Sequence, residues 1–395
     1  MIEWMLWGLI AALAGSLAGL VWAARRAILA IPAPVTSAPS RRVAVIVPVA
    51  GLGEPIEASI HSLLNQTHSS FEVVVVLRDA EDPAAAAVQA AIRGKAAATC
   101  VFAGPATACG QKNHNLLAGV AEVGDRAEVL VFADAGHVFP AGWLDRLVAP
   151  IGRGEAEVTS GYHAVRPANG KFVPWIYAAC VEMMHVTQNA PGLRQPWGGA
   201  MAISRPTFER LKVADTWRTS VVDDVSLARV LRAHRVKVLL VPLLRLETSV
   251  ATLNLHDLFE WLVRQLQYIR FIFPGSWILM GLWGLLQIAA LGAAAVLVVM
   301  GTVSLASVLL LAALDLAVLA VLLLQIRLLH PVPCPPVRWL AASAVSLLIL
   351  CAAHAAAGLR REIRWRGICY QVKSGGRVVE IRHPGSLIRA ERAGA

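Results

Sequence analysis

Charge is scarce in this chain: Asp, Glu, Lys and Arg make up 16% of its 395 residues, and the mean hydropathy is +0.60. Ordinary soluble domains carry about 25% charged residues, so that class is excluded, and the shortage of charge excludes a disordered chain as well. Glycine follows no period, which rules out a collagen-like repeat. There is no Walker A loop and no GxGxxG, so neither glycine-rich device holds phosphates here. The six cysteines (Cys100, Cys109, Cys180, Cys334, Cys351 and Cys369) show no CxxC and no repeated spacing. Neither a disulfide framework nor a zinc site is indicated, and a reducing compartment suffices. The formal net charge is +10, yet residues 359–395 alone hold nine basic side chains against three glutamates. The excess therefore sits beside a membrane segment, where it attracts anionic headgroups, and not on a folded domain as nucleic-acid binding requires. No nucleic acid and no obligate protein partner are expected.

Apolar residues are abundant, 57% of the chain, and four long runs fall at 4–24, 277–300, 302–326 and 339–359. Each can span a hydrocarbon core that needs about 20 residues. Glu3 stands where a signal peptide has its basic region, and Arg25 and Arg26 follow the first run. That run reads as an uncleaved anchor with residue 25 onward cytoplasmic. The division expected is an anchor over 1–26, a Pro-rich linker over 27–40, a cytoplasmic domain over 41–254, an amphipathic interfacial helix over 255–274, membrane segments over 275–359 and a basic tail over 360–395. The stripe Leu255, Leu258, Phe259, Leu262, Leu266, Ile269 and Phe273 on that helix is expected to lie in the interface. Three crossings after a cytoplasmic domain leave the tail outside, against the positive-inside rule. Either one segment lies at the interface or is re-entrant, or the tail breaks the rule. Asp315, within a segment, is read as packed among helices or marking a water-filled dip.

Between 41 and 242, short β-branched runs at 42–48, 72–77, 99–102, 128–133 and 236–241 alternate with helical patterns at 56–65, 83–93, 113–123, 143–151 and 224–233. Continuous apolar strands alternating with helices predict an α/β domain with a mainly parallel sheet covered on both faces. Ligands in such folds bind at the carboxyl ends of the strands, and three of those ends carry acidic or turn residues: 48–54, 78–83 and 134–137. Carboxylates placed there suit a metal-bridged diphosphate.

VAVIVPV at 43–49, RDAEDP at 78–83, CGQKNHNL at 109–116, VFADAGHV at 131–138, WGGAMAISRP at 197–206, VVDDVSLARVL at 221–231 and QLQYIRF at 265–271 stand in the order of a family 2 glycosyltransferase. The set resembles the ceramide glucosyltransferases more narrowly, and RWRGICYQV at 364–372 is similar to the Trp-Arg-Gly-x-Tyr ending of many such enzymes. The resemblance covers nearly the whole chain. It implies a Rossmann-like nucleotide-diphospho-sugar transferase domain of the GT-A type, with one N-terminal and about three C-terminal membrane helices. The implied reaction is inverting transfer of a hexose, glucose from UDP-glucose as first choice, to a hydroxyl of a ceramide-like membrane lipid, with Mg²⁺ or Mn²⁺ as cofactor.

By this resemblance Asp79 hydrogen-bonds the donor's uracil, although Asp is common in turns for backbone reasons. Asp134 holds the metal, with Gly136 where many relatives have a second Asp, so that the metal depends on substrate phosphates. His137 is read as a satisfied surface histidine. Asp224 is the general base and Asp223 supports it, and the pair also suits a helix start. Gln267, Arg270 and Phe271 match the (Q/R)xxRW signature with Phe for Trp, Arg270 being the clamp on the leaving diphosphate; snorkelling to headgroups is the alternative. Pro48, Glu54 and Lys112 join the donor site, with a helix-start role equally open for Lys112. His185, Trp197, Gly198 and Gly199 form the acceptor side, where a core role for His185 has even standing. The 30 Arg against 6 Lys lean towards a high-GC bacterium and hence its inner membrane. The rival readings are another sugar such as GlcNAc, another acceptor such as a hopanoid or diacylglycerol, a processive polysaccharide synthase, and a non-catalytic membrane scaffold.

Overall fold

The computed structural model describes residues 2–29, 41–51, 56–168, 170–190, 192–250 and 252–383. Residues 30–40 of the expected linker, Glu54 and the last twelve residues lie outside them, and residues 27–29 continue the first helix. Helix α1 (Ile2–Leu29) precedes a domain that begins with β1 (Val43–Pro48), α2 (Ile56–Leu64), β2 (Phe71–Leu77), α3 (Ala85–Ile92), β3 (Ala98–Phe102) and α4 (Gln111–Val123). It continues through β4 (Val129–Ala133), α5 (Trp143–Gly152), β5 (Val158–Pro167), α6 (Val173–Asn189) and β6 (Ala200–Ser204). Short helices α7 (Arg205–Arg210) and α8 (Val213–Trp217) lead to α9 (Asp224–Ala233) and β7 (Val238–Val250). The rest is α10 (Leu255–Ile272), α11 (Pro274–Val299), α12 (Leu305–Arg327), α13 (Pro336–Leu359), β8 (Glu362–Trp365), β9 (Ile368–Lys373) and β10 (Arg377–Arg382).

One sheet takes seven strands in the order β3-β2-β1-β4-β6-β5-β7. The Val-rich β1, β2 and β4 are parallel and buried on both faces, because α2, α3 and α5 cover one side and α4, α7, α8 and α9 the other. Strand β6 runs antiparallel between β4 and β5, pairing Ala133 with Ala200. This reversal brings the start of β6 to the carboxyl ends of β1, β2 and β4, so residues 197–199 join the ligand edge.

Helices α1, α11, α12 and α13 are long and apolar enough to cross a membrane. The first three pack together through Ile10, Ala290, Ala294 and Leu311. Asp315 is partly exposed on α12, and among the described residues no ion pair or hydrogen bond reaches it. Helix α13 behaves differently. Before its start, His330 Nε2 meets the Val165 carbonyl at 3.0 Å; at its end, Arg360 pairs with Glu260 on α10 at 2.6 Å. Its length packs against α6 and α10 in one apolar cluster. Both ends of α13 are thus tied to the domain, and beyond it β8 to β10 form an antiparallel three-stranded sheet that also joins the domain. There Val221 N–H donates to Gly376 O at 2.9 Å and Val378 N–H to Thr219 O at 2.8 Å.

The β8–β10 sheet therefore lies on the side of the α/β domain, and α13 lies along that domain's α6 and along α10. Two expectations are corrected with it. Residues 360–383 are a folded sheet, and the apolar stripe of α10 is not bare to lipid: Leu258 and Leu262 are fully buried and Leu266 nearly so, packed in the same cluster as α6 and α13.

Candidate active site

The site is built where strand ends and helix starts converge. Asp134 follows β4 directly, and its Oδ1 lies 2.8 Å from Nζ of Lys112, in the first turn of α4. The same ammonium is 3.0 Å from Oδ2 of Asp223, which is 1% exposed. Burial by itself lowers the affinity of Lys112 for its proton, but the carboxylates of Asp134, Asp223 and Asp224 outweigh it and keep the ammonium charged. Asp224 opens α9, where its Oδ1 accepts the Val225 N–H at 2.7 Å and its Oδ2 the Gly198 N–H at 3.1 Å. Its carboxyl is nonetheless pushed up to about 7, first by burial and then by the negative charge of Asp223, against the pull of Lys112 and the two backbone donors. A carboxylate with that proton affinity, fixed by two N–H groups, is poised to take a proton at neutral pH.

Close approach explains the glycines. A Cβ on Gly198 would collide with the Asp223 carboxylate and lie 2.8 Å from Lys112 Nζ, and one on Gly199 would collide with the Trp197 ring. Trp197 in turn stacks on His163, with centroids 4.8 Å apart and planes at 9°, and meets the edge of His137 at 5.1 Å. His185 stacks on Tyr162 at 4.9 Å and 15°, and Tyr162 touches Trp197 at 5.6 Å. His137 is buried, not a surface residue as its sequence context suggests, and bonds Thr248 Oγ1 at 2.9 Å. Burial first, and Lys112 second, lowers its proton affinity to about 4. It is therefore neutral at pH 7.

Beneath this aromatic wall is a largely buried ion pair. Glu182 is fully buried, bound by Arg245 at 2.6 Å and by His185 Nδ1 at 3.1 Å. Burial raises the Glu182 pKa, but His185 and Arg245 outweigh it and hold the carboxyl down to about 2. With Nδ1 donating to a carboxylate, the neutral His185 presents Nε2 as an acceptor, and that atom is buried without a partner among the described residues. Arg245 also donates to Leu329 O at 2.6 Å, joining the end of α12 to the wall. Arg245→Leu should destabilise the protein by about 3–5 kcal/mol, because it strands a buried carboxylate, whereas the double variant Glu182→Leu/Arg245→Leu should lose less. Urea unfolding of the detergent-solubilised variants checks this, and equal losses would show that the pair is not coupled.

Other residues singled out by sequence fall elsewhere. Pro48 closes β1 at the same edge. Asp79 is engaged locally, accepting from Arg78 Nε at 2.6 Å and from Glu81 N–H at 3.1 Å. Gln267 Nε2 donates to Glu362 O at 2.8 Å, anchoring β8. Arg270 gives Nη1 to the carbonyls of Ala357 and Arg360 at 2.7 and 2.8 Å and lies over Phe271, so the expected diphosphate clamp is instead a cap on the end of α13. From the same motif it is Tyr268, buried, that feels the charges of Asp223, Asp224 and Lys112. Sequence reading also missed Asp82, whose two oxygens accept the Gly51 N–H at 3.0 and 3.1 Å, and the wall residues Tyr162, His163, Glu182 and Arg245. The adjacent Tyr162 and His163 inside the strand-like run 158–167 are the signal that would have pointed to the wall.

The residues present fit a divalent cation in a limited way. Asp134 keeps Oδ2 free of protein partners among the described residues, and no group of three or more His, Cys, Asp or Glu is set to hold a metal there. An ion at Asp134 must therefore complete its shell with phosphate oxygens and water, the habit of Mg²⁺ and Mn²⁺ at substrate phosphates.

The model of glycosyl transferase family 21 matches residues 7–378. No curated protein matches the chain. A mannosyltransferase from Pyrobaculum calidifontis, solved with GDP-Man and Mn²⁺, shares 20% identity and a TM-score of 0.59 over 91% of this chain and 99% of its own, and so shows a common GT-A fold. Glucosyl-3-phosphoglycerate synthase from Mycobacterium tuberculosis, solved with Mn²⁺, UDP and phosphoglyceric acid, shares 16% identity and a TM-score of 0.39, over 58% of this chain and 78% of its own.

Proposed function

We propose that this chain, which belongs to glycosyl transferase family 21, transfers a hexose with inversion from a UDP-sugar, glucose as first choice, to a hydroxyl of a membrane lipid, ceramide-like as first choice, on the cytoplasmic face of a bacterial inner membrane. The observation that carries the reading is the Asp224 carboxylate, held by two backbone N–H groups beside Lys112, Asp134 and Asp223 with its pKa pushed up to about 7. In a single displacement, the acceptor hydroxyl gives its proton to Asp224 as its oxygen attacks the anomeric carbon, and the nucleoside diphosphate leaves. Lys112 stays charged beside that leaving group, and Asp134 offers the oxygen that a divalent cation needs; such a cation supplies charge neutralisation when bound. His185 Nε2 and the rings of Tyr162 and Trp197 form the acceptor side. Helix α6, which carries His185, packs on α1 and α13, so a lipid hydroxyl has a short path from the apolar layer to the base.

The test is incubation of purified protein with a panel of nucleotide sugars and a total lipid extract, the product lipid being read by mass spectrometry. Appearance of a hexosyl sphingolipid with UDP-glucose alone is the expected result; a sugar added to a different lipid moves the acceptor assignment. A second expectation follows from the base. With Asp224 raised to about 7, the carboxylate is lost as pH falls, so kcat/KM should drop about tenfold per unit below pH 7 and level off above it. A profile flat from about pH 5.5 to 8.5 would remove Asp224 from the proton transfer.

A further inference from the structure

The carboxylates Asp134, Asp223 and Asp224 share a single lysine, and Arg270, the other cation expected there, is spent on the end of α13. A diphosphate added to this cluster brings more negative charge, so a further cation belongs at the ligand edge. The C-terminal sheet carries one to it. The turn between β8 and β9 is made by Arg366 and Gly367, both left-handed, with φ of 49° and 78°. Two such residues in succession give the hairpin turn that suits a twisted antiparallel pair. Glycine takes that conformation freely, but at Arg366 it is strained, and strained backbone concentrates at ligand sites.

The turn is aimed by its anchors. Tyr370 Oη, on β9, accepts the Gln111 N–H at 3.1 Å, next to Lys112. Gly376 O accepts the Val221 N–H, and Ser220 bridges Arg377, next to the Asp223 loop. The sheet therefore clasps both helix starts that hold the site. At its tip, Arg366 Nη1 lies 4.0 Å from where a Cβ of Gly51 would stand. Gly51 follows β1, which lies between β2 and β4, so its loop is flanked by those of Asp79 and Asp134. Asp82 fixes that loop through the Gly51 N–H. Arg366 is exposed, and among the described residues no carboxylate pairs with it.

We infer that Arg366 is a donor-binding residue: its guanidinium closes over the loop at Gly51 and binds a phosphate of the nucleotide-sugar, so the C-terminal hairpin is a built part of the donor site. A planar guanidinium matches phosphate oxygens in paired hydrogen bonds, and its reach from an exposed turn leaves the pocket open before the donor arrives. This rests on the nucleoside-diphosphate reading of the site.

The experiment is calorimetric titration of UDP, with Mn²⁺ present, into the intact detergent-solubilised protein and its Arg366→Ala and Arg366→Lys variants. Ala and Lys meet the same strain in the turn, but only Lys keeps the charge. Arg366→Ala should weaken UDP binding by about 10–100-fold, the worth of a hydrogen bond to a charged group, with Arg366→Lys in between. Unchanged affinity in both variants, or equal loss in both, overturns the inference, the second outcome leaving the turn as a structural prop. If the unaltered protein binds neither UDP nor GDP, the donor reading itself fails and the inference with it.

Discussion

Asp224→Asn should fold, bind UDP and lose transfer by about 10²–10⁴-fold, the usual worth of a positioned general base. The amide fills the same volume but cannot take the hydroxyl proton. It also offers one oxygen where the carboxylate offers two, so either the Gly198 or the Val225 N–H loses its acceptor, a cost of about 1–3 kcal/mol that thermal unfolding should register. Asp223→Asn is the informative contrast. Asp223 raises the proton affinity of Asp224 by its charge, so its neutralisation should move the acid limb of kcat/KM to lower pH while retaining more activity. Near-normal turnover of Asp224→Asn, measured by product lipid per minute at saturating donor, would take Asp224 out of the chemistry.

The strands that the sequence made plain were those whose environment is uniform. β1, β2 and β4 lie in the sheet's parallel centre with helices on both faces, so VAVIVP, FEVVVVL and VLVFA carry unbroken apolar runs. β5 and β6 escaped notice for the opposite reason. β5 lines the aromatic wall, and Gly161, His163 and Arg166 interrupt its pattern, while β6 is five residues long behind two glycines required by close packing. The tail was read by charge, which hid a period of two: Ile363 and Trp365, then Ile368, Tyr370 and Val372, face the domain, while Arg364 and Lys373 face water.

The centre of the site was legible because carboxylates at strand ends and helix starts are local features. The fates of Arg270 and Leu262 were not, because both depend on α13, about ninety residues downstream in the chain, returning to lie on α10. An amphipathic helix reports that something apolar covers it, and not whether that cover is lipid or another helix. The buried Glu182 pairs three residues along its helix with His185, a spacing visible in sequence, but its need for burial came only with Arg245 on β7.

Removal of divalent cations should abolish transfer, and Mn²⁺ or Mg²⁺ should restore it. The leaving diphosphate must be neutralised as its bond to the sugar breaks, and the chain's own cations are largely committed: Lys112 to Asp134 and Asp223, Arg270 to the carbonyls that end α13. Asp134 leaves one oxygen for a metal and supplies no second carboxylate of the Asp-x-Asp kind, since Gly136 stands in that place. A single protein oxygen binds Mg²⁺ or Mn²⁺ weakly, so metal and donor should bind together: titration of Mn²⁺ alone should give little heat, and titration in the presence of UDP much more. Asp134→Asn should remove that cooperativity and raise the Mn²⁺ concentration needed for half-maximal rate by at least about tenfold, the loss of one charged ligand. Full activity in EDTA, or Mn²⁺ binding equally well with and without UDP, would contradict a metal held jointly by Asp134 and the donor, and would place the neutralisation on Lys112 and the cations of the C-terminal sheet.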